Sequence, residues 1–196
     1  MPEFMIYFRL GFEHLLDLGG ADHILFLLAL CVRYSWSEWI KVVAVVSFFT
    51  VGHSITLVLA TLQIVRFDAN IIEFLIPLTI FLAALPNILT RNIRDGNIEQ
   101  RLSVTLYFLT MFFGLIHGLG FSNYLRALLG FEESIVVPLL AFNVGLELGQ
   151  IVIVAVLVSI LTLLLRFTTL KRQFSVVAIS SIIAVWALVL MADRLV

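Results

Sequence analysis

Charge is scarce in this chain. Its 196 residues include 12 Lys and Arg and 13 Asp and Glu, about half the charged share of an ordinary soluble domain. No run of Lys or Arg occurs and the formal net charge is −1, so nothing offers a footprint to a nucleic-acid backbone, and nucleic acid is excluded as a partner. Cys31 stands alone, which rules out an internal disulfide and a thiolate metal cluster. The four methionines are scattered, so a thioether site for Cu(I) is disfavoured as well. No nucleotide-binding motif is present. No secretory leader is visible, because Glu3, Arg9, Glu13, Asp17 and Asp22 interrupt the stretch where its apolar core would lie; the N-terminus is expected to be retained.

What the chain has instead is apolar surface. Hydrophobic residues make up 62% of it, more than a water-facing domain can place, so a lipid bilayer is the expected solvent and partner. A span needs roughly 20 mainly apolar residues. Runs of that kind predict an all-α, polytopic membrane protein: a single integral-membrane domain over 1–196, a six-helix transmembrane bundle with spans near 12–34, 42–62, 71–89, 102–121, 135–165 and 174–191.

The first span is expected to be irregular or broken. Its uninterrupted apolar run, Ile24 to Val32, climbs only about 14 Å, less than half the hydrocarbon thickness. To cross, it must draw in Phe12 to His23, with Gly19 and Gly20 as the expected break, and broken backbone at membrane depth implies a cavity wall. The alternative is that Phe4 to Leu18 lies flat on the membrane surface and Asp22 caps a short helix.

Orientation follows from basic residues. Arg33, Lys41, Arg91, Arg94, Arg101, Arg166, Lys171 and Arg172 fall on one side, and Arg9, Arg66, Arg126 and Arg194 on the other. The positive-inside bias places both termini extracytoplasmic and the loops around Trp36, Asn92 and Thr169 in the cytoplasm. With that topology all four histidines, His14, His23, His53 and His117, lie from the midplane outward, as do Asp17, Asp22 and Glu147. Ionisable groups at such depth face a bundle interior and find partners. Asn143, Glu147 and Gln150 recur at helical spacing on one face, whereas around His53 the polar neighbours are expected to be the hydroxyls of Thr50, Ser47 and Ser54. A lone membrane histidine is more often an interhelical contact than a ligand; four with three acids on one side predict a shared ion site. Glu73 and Asp68 are expected only to mark the rim of the third span, and Pro77, Pro86 and Asn87 to serve kinks or packing. Gly114 and Gly118 around His117, and Gly145 and Gly149 around Glu147, have the spacing that lets helices approach closely. A weaker echo, Phe48-Phe49 before His53 and Phe112-Phe113 before His117, relates the second and fourth spans as a parallel repeat.

Four blocks carry a family resemblance. G-F-E-H-L-L-D-L-G-G-A-D-H-I-L-F-L-L from Gly11, F-T-V-G-H-S-I-T-L from Phe49, F-G-L-I-H-G-L-G-F from Phe113 and F-N-V-G-L-E-L-G-Q from Phe142 resemble the HupE/UreJ family of bacterial membrane permeases, over nearly the whole chain. Members are associated with nickel, and in some cases cobalt, supply to hydrogenase, urease or cobalamin pathways. The resemblance implies metal ligation at His14, Asp17, Asp22, His23, His53, His117, Asn143 and Glu147, uptake of a divalent ion as cargo, and a place in the bacterial inner membrane. Many members begin with a cleaved leader, which this chain does not show.

Imidazole with carboxylate and amide oxygen suits Ni2+, and also Co2+ or Zn2+. An outer vestibule of His14, Asp17 and His117 is expected to capture the ion, and Asp22, His23, His53 and Glu147 to bind it deeper. The function expected is therefore a Ni2+ or Co2+ uptake permease, not an enzyme; a second copy of the chain is admitted as a partner. Toward the cytoplasm only hydroxyls and amides follow, so no exit route is written in the sequence. Two competing readings are an integral-membrane zinc hydrolase and a metal-binding membrane protein without flux.

Overall fold

The computed structural model describes residues 3–16, 21–89, 96–129 and 134–195, with the backbone alone for 96–103. Among the described residues all regular structure is helical: α1 (Glu3–His14), α2 (Ala21–Cys31), a single 3-10 turn at Trp36–Glu38, α3 (Trp39–Thr61), α4 (Ala69–Leu89), α5 (Gly96–Leu129), α6 (Val136–Phe167) and α7 (Arg172–Asp193). Five of these, α3 to α7, are long and apolar enough to cross a membrane; α2 is apolar but short. Their outward faces carry Ile40, Ile55, Phe108, Val152, Ile182 and Val185 exposed, while His53, Thr110, Gln150 and Ser180 are fully buried. Polar inside and apolar outside is the arrangement of a membrane helical bundle.

Local chemistry sets the ends of α3. The Ser35 N–H and hydroxyl both donate to the Glu38 carboxylate, and Lys41 donates to its other oxygen, so the turn that opens the helix is tied down before the apolar stretch begins. At the far end Gln63 adopts φ 58°. The Gln63 N–H then reaches the Ala60 carbonyl and the Ile64 N–H that of Leu59, which satisfies the last carbonyls in a Schellman termination with Gln where Gly is usual.

Five expected spans correspond to α3 through α7 and differ mainly at α5. That helix runs from 96 to 129 where the hydropathy suggested 102–121, because charge at Arg126 ends an apolar stretch without ending a helix; Arg126 simply bonds back to Asn123. α4 continues through Pro77 and Pro86, and Asn87 on its last turn donates to the Ala29 carbonyl of α2 at 2.7 Å. Of the expected irregular first segment, the structure describes two short helices, α1 and α2; Gly19 and Gly20, where the break was expected, lie outside the described residues, as does the loop around Asn92.

Two helix pairs are packed backbone to backbone. In α1 and α6, a Cβ on Gly145 would strike the Phe8 carbonyl oxygen, one on Gly149 would crowd the Phe12 carbonyl and Leu15, and one on Gly11 would strike the Phe142 carbonyl. The Phe8 and Phe12 carbonyls thus meet 145 and 149 in order, so the two helices run the same way. α1 lies along α6 and not across the end of the bundle. α3 and α5 repeat the device: Gly52 lies on the Met111 carbonyl, Gly114 on that of Phe49, and Gly118 on that of His53. They also run in the same direction, so the two segments that echo each other in sequence are direct neighbours. α2 follows α1 toward the later part of α6, where Cys31 and Val32 share a cleft with Val158 and Leu161.

Gly52→Ala should therefore cost the upper end of the roughly 1–3 kcal/mol typical of overpacking. Its Cβ would meet rigid helix backbone, whereas at Gly120 the nearest atom is the movable Ile76 Cδ1 at 2.8 Å. Thermal unfolding of detergent-solubilised protein should show a clearly lower midpoint for Gly52→Ala than for Gly120→Ala.

Candidate metal site

α1 ends on His14 and α2 opens on Ala21, Asp22 and His23, so the two helix ends bring imidazoles together. The His14 and His23 rings meet edge to face at 4.8 Å between centroids. His53 enters from the middle of α3, fully buried. Ligand nitrogens of His14, His23 and His53 all lie within 4.8 Å of one another. A metal with nitrogen ligands at about 2.0–2.1 Å brings two such nitrogens to about 3.4 Å in tetrahedral geometry, so the triangle needs to contract by little more than an ångström to hold an ion.

The carboxylate of Asp22 is turned onto its own neighbour. Oδ1 accepts the His23 backbone N–H at 2.8 Å and the His23 ring Nδ1 at 3.1 Å. Since a carboxylate only accepts, Nδ1 carries the proton and the lone pair resides on Nε2. That Nε2 is buried without a partner among the described residues, as are His14 Nε2 and both ring nitrogens of His53. Buried polar atoms normally find partners, and neutral imidazole nitrogens left with free lone pairs are suited to a borderline divalent cation.

Aromatic rings seal the site. Phe121 lies 4.0 Å from the His14 ring, Phe49 packs on His53 and His23, and Phe142 stacks parallel to His53. His117 of α5 stands beside the group, its ring 5.2 Å from that of His23, and its Nε2 is 2.8 Å from the Thr79 hydroxyl of α4. A cavity of about 420 Å³ borders His14, Asp22, His23 and His117 and extends past Pro77 to Glu73, Trp186 and Arg194. The Arg194 guanidinium pairs with the Glu73 carboxylate there, both side chains about half exposed. Glu73 is more than the rim marker the sequence suggested, since it lines the cavity mouth.

The other expected ligands that the structure describes have hydrogen bonds of their own. Glu147 accepts a hydrogen bond from Ser47 at 2.6 Å, and Ser47 lies six residues before His53, about 9 Å along α3. One turn on, Thr50 donates to the Gln150 side chain at 2.9 Å. The face of α6 carrying Glu147 and Gln150 is thus a polar seam against α3. Asn143 donates back to the Leu139 carbonyl and leaves its Oδ1 buried without a partner among the described residues. Asp17 lies outside those residues. The hydroxyls expected beside His53 do not serve it: Ser54 donates to the Thr50 carbonyl, a helical back-bond that satisfies the hydroxyl locally, and Thr50 is engaged as above.

Sequence reasoning did not single out Thr79. A hydroxyl in an apolar span gives no signal of its own, and its relation to His117 exists only across α4 and α5.

A match to the family described as HupE / UreJ protein covers residues 1–194. The chain belongs to the HupE/UreJ family. It is accordingly a membrane protein of a transporter-type family linked broadly with metal transport. No curated protein and no solved structure matches the chain.

The bond between Thr50 and Gln150 should couple α3 to α6. In a double-mutant cycle of Thr50→Val and Gln150→Leu, the expected interaction energy is about 0.6 kcal/mol, with about 1.7 kcal/mol the most such interhelical bonds have given. Unfolding titrations in mixed micelles measure it.

Proposed function

We propose that this HupE/UreJ protein takes up a divalent transition-metal ion, Ni2+ first and Co2+ second, across the bacterial inner membrane. The observation that carries the reading is the triangle of His14, His23 and His53, two buried imidazoles and one half-buried from three helices, with ring nitrogens free among the described residues. Such a donor set suits Ni2+, Co2+ or Zn2+ and is poor for Mg2+ or Ca2+, which demand oxygen. In this reading α1 and α2 together form a sixth, discontinuous span, consistent with their course along α6, and both termini face outward, consistent with the basic-residue bias.

The ion arrives through the cavity past Glu73, with Asp22 and His117 along its wall; Asp17 and Asn143 are kept as further candidate ligands. Asp22 holds His23 in the tautomer that offers Nε2, the familiar carboxylate–imidazole arrangement of metal sites. Release toward the cytoplasm leads past Glu147 of α6, which meets Ser47 of α3 and offers the departing cation carboxyl oxygens. Transport is facilitated or driven by an ion gradient.

Radiolabelled nickel or cobalt uptake into proteoliposomes tests this. His23→Ala and His53→Gln should each abolish accumulation while the protein remains folded and inserted. Asp22→Asn should weaken binding about 10–100-fold, the usual effect of losing a partner that orients a ligand. Wild-type activity in these variants, or metal-dependent hydrolysis of an amide or lipid in place of accumulation, would overturn the permease reading.

A further inference from the structure

Thr79 makes two short contacts with one hydroxyl. Its Oγ1 lies 2.7 Å from the Ile76 carbonyl oxygen and 2.8 Å from His117 Nε2. The carbonyl can only accept, so the single hydroxyl proton goes to Ile76 and the oxygen is left as the acceptor facing His117. His117 Nε2–H must then be the donor. In a neutral imidazole this puts the lone pair on Nδ1, the nitrogen that is buried with no partner among the described residues. Its ring stands at 5.2 Å from that of His23 and packs on Phe26 and Phe49, with the residue itself 1% exposed.

We infer that Thr79 is a positioning residue for metal transfer: by accepting from His117 Nε2 it fixes the tautomer and ring orientation in which Nδ1 is free to take the ion beside the three-histidine group. The inference rests on the metal-transport reading above. Asp22 does the same for His23 with the opposite result, leaving Nε2 free. Two neighbouring imidazoles are thereby locked in complementary tautomers by two different acceptors, one a carboxylate and one a hydroxyl. The hydroxyl's acceptor role is enforced by α4's own backbone.

The test compares Thr79→Val, which keeps the shape and removes the acceptor, with Thr79→Ser, which keeps the hydroxyl. In metal-free protein labelled with 15N-histidine, His117 should show a protonated Nε2 and an unprotonated Nδ1. Thr79→Val should lose that fixed assignment and Thr79→Ser keep it. Equilibrium binding of Co2+ to purified protein should weaken about 10–100-fold in Thr79→Val, with a changed visible spectrum of the bound Co2+ and a raised KM for uptake, and recover in Thr79→Ser. Thr79→Val that matches wild type in tautomer or in Co2+ affinity overturns the inference, as does a Thr79→Ser variant as impaired as Thr79→Val. Wild-type protein that binds neither Co2+ nor Ni2+ overturns the metal reading itself, a result distinct from a normal wild type with a silent Thr79→Val.

Discussion

Backbone contact at glycine is the constraint on which the rest of the molecule depends. In lipid, apolar side chains gain little by leaving their solvent, so helices associate through close packing and interhelical hydrogen bonds. Here Gly11, Gly145 and Gly149 seat α1 on α6, and Gly52, Gly114 and Gly118 seat α3 on α5. Each contact lies next to a chemically active residue: Gly11 is one turn before His14, Gly52 precedes His53, and Gly114 and Gly118 flank His117. Helix separation and histidine placement are therefore the same structural decision. A methyl group at Gly11, Gly52 or Gly114 would meet the partner helix's backbone and move an imidazole along with a helix.

Much of this was legible in the chain. Hydropathy located five long helices because a membrane span is a composition signal that needs no partner. The glycine pairs were legible as small-residue spacings, although nothing in the sequence said which helix each would meet. That the imidazoles converge followed from span depth together with the basic-residue bias, since two independent cues put His14, His23, His53 and His117 on one side.

What escaped was orientation. Asp22 was expected among the ligands, but nothing in the sequence said that its carboxylate would accept from the adjacent His23, a choice set by the first turn of α2. Glu147 pairs with Ser47 where α3 meets α6, a partner that helical spacing within α6 could not name. Thr79 could not be found at all, because one hydroxyl gains meaning only from the one acceptor and the one donor around it. Helical spacing gives depth and face; which acceptor a donor selects is decided by neighbouring helices that periodicity does not describe.

Asp22 and His23 are consecutive residues of one short helix, and their hydrogen bonds are internal to it. A rigid displacement of α2 would carry the imidazole and its orienting carboxylate as one piece, while His14 and His53 stay with α1 and α3, which are clamped to α6 and α5. The lengths of two sides of the imidazole triangle thus vary with the position of a single eleven-residue element, and in the proposed uptake role that freedom would let an ion go without uncoupling any of the clamped helices.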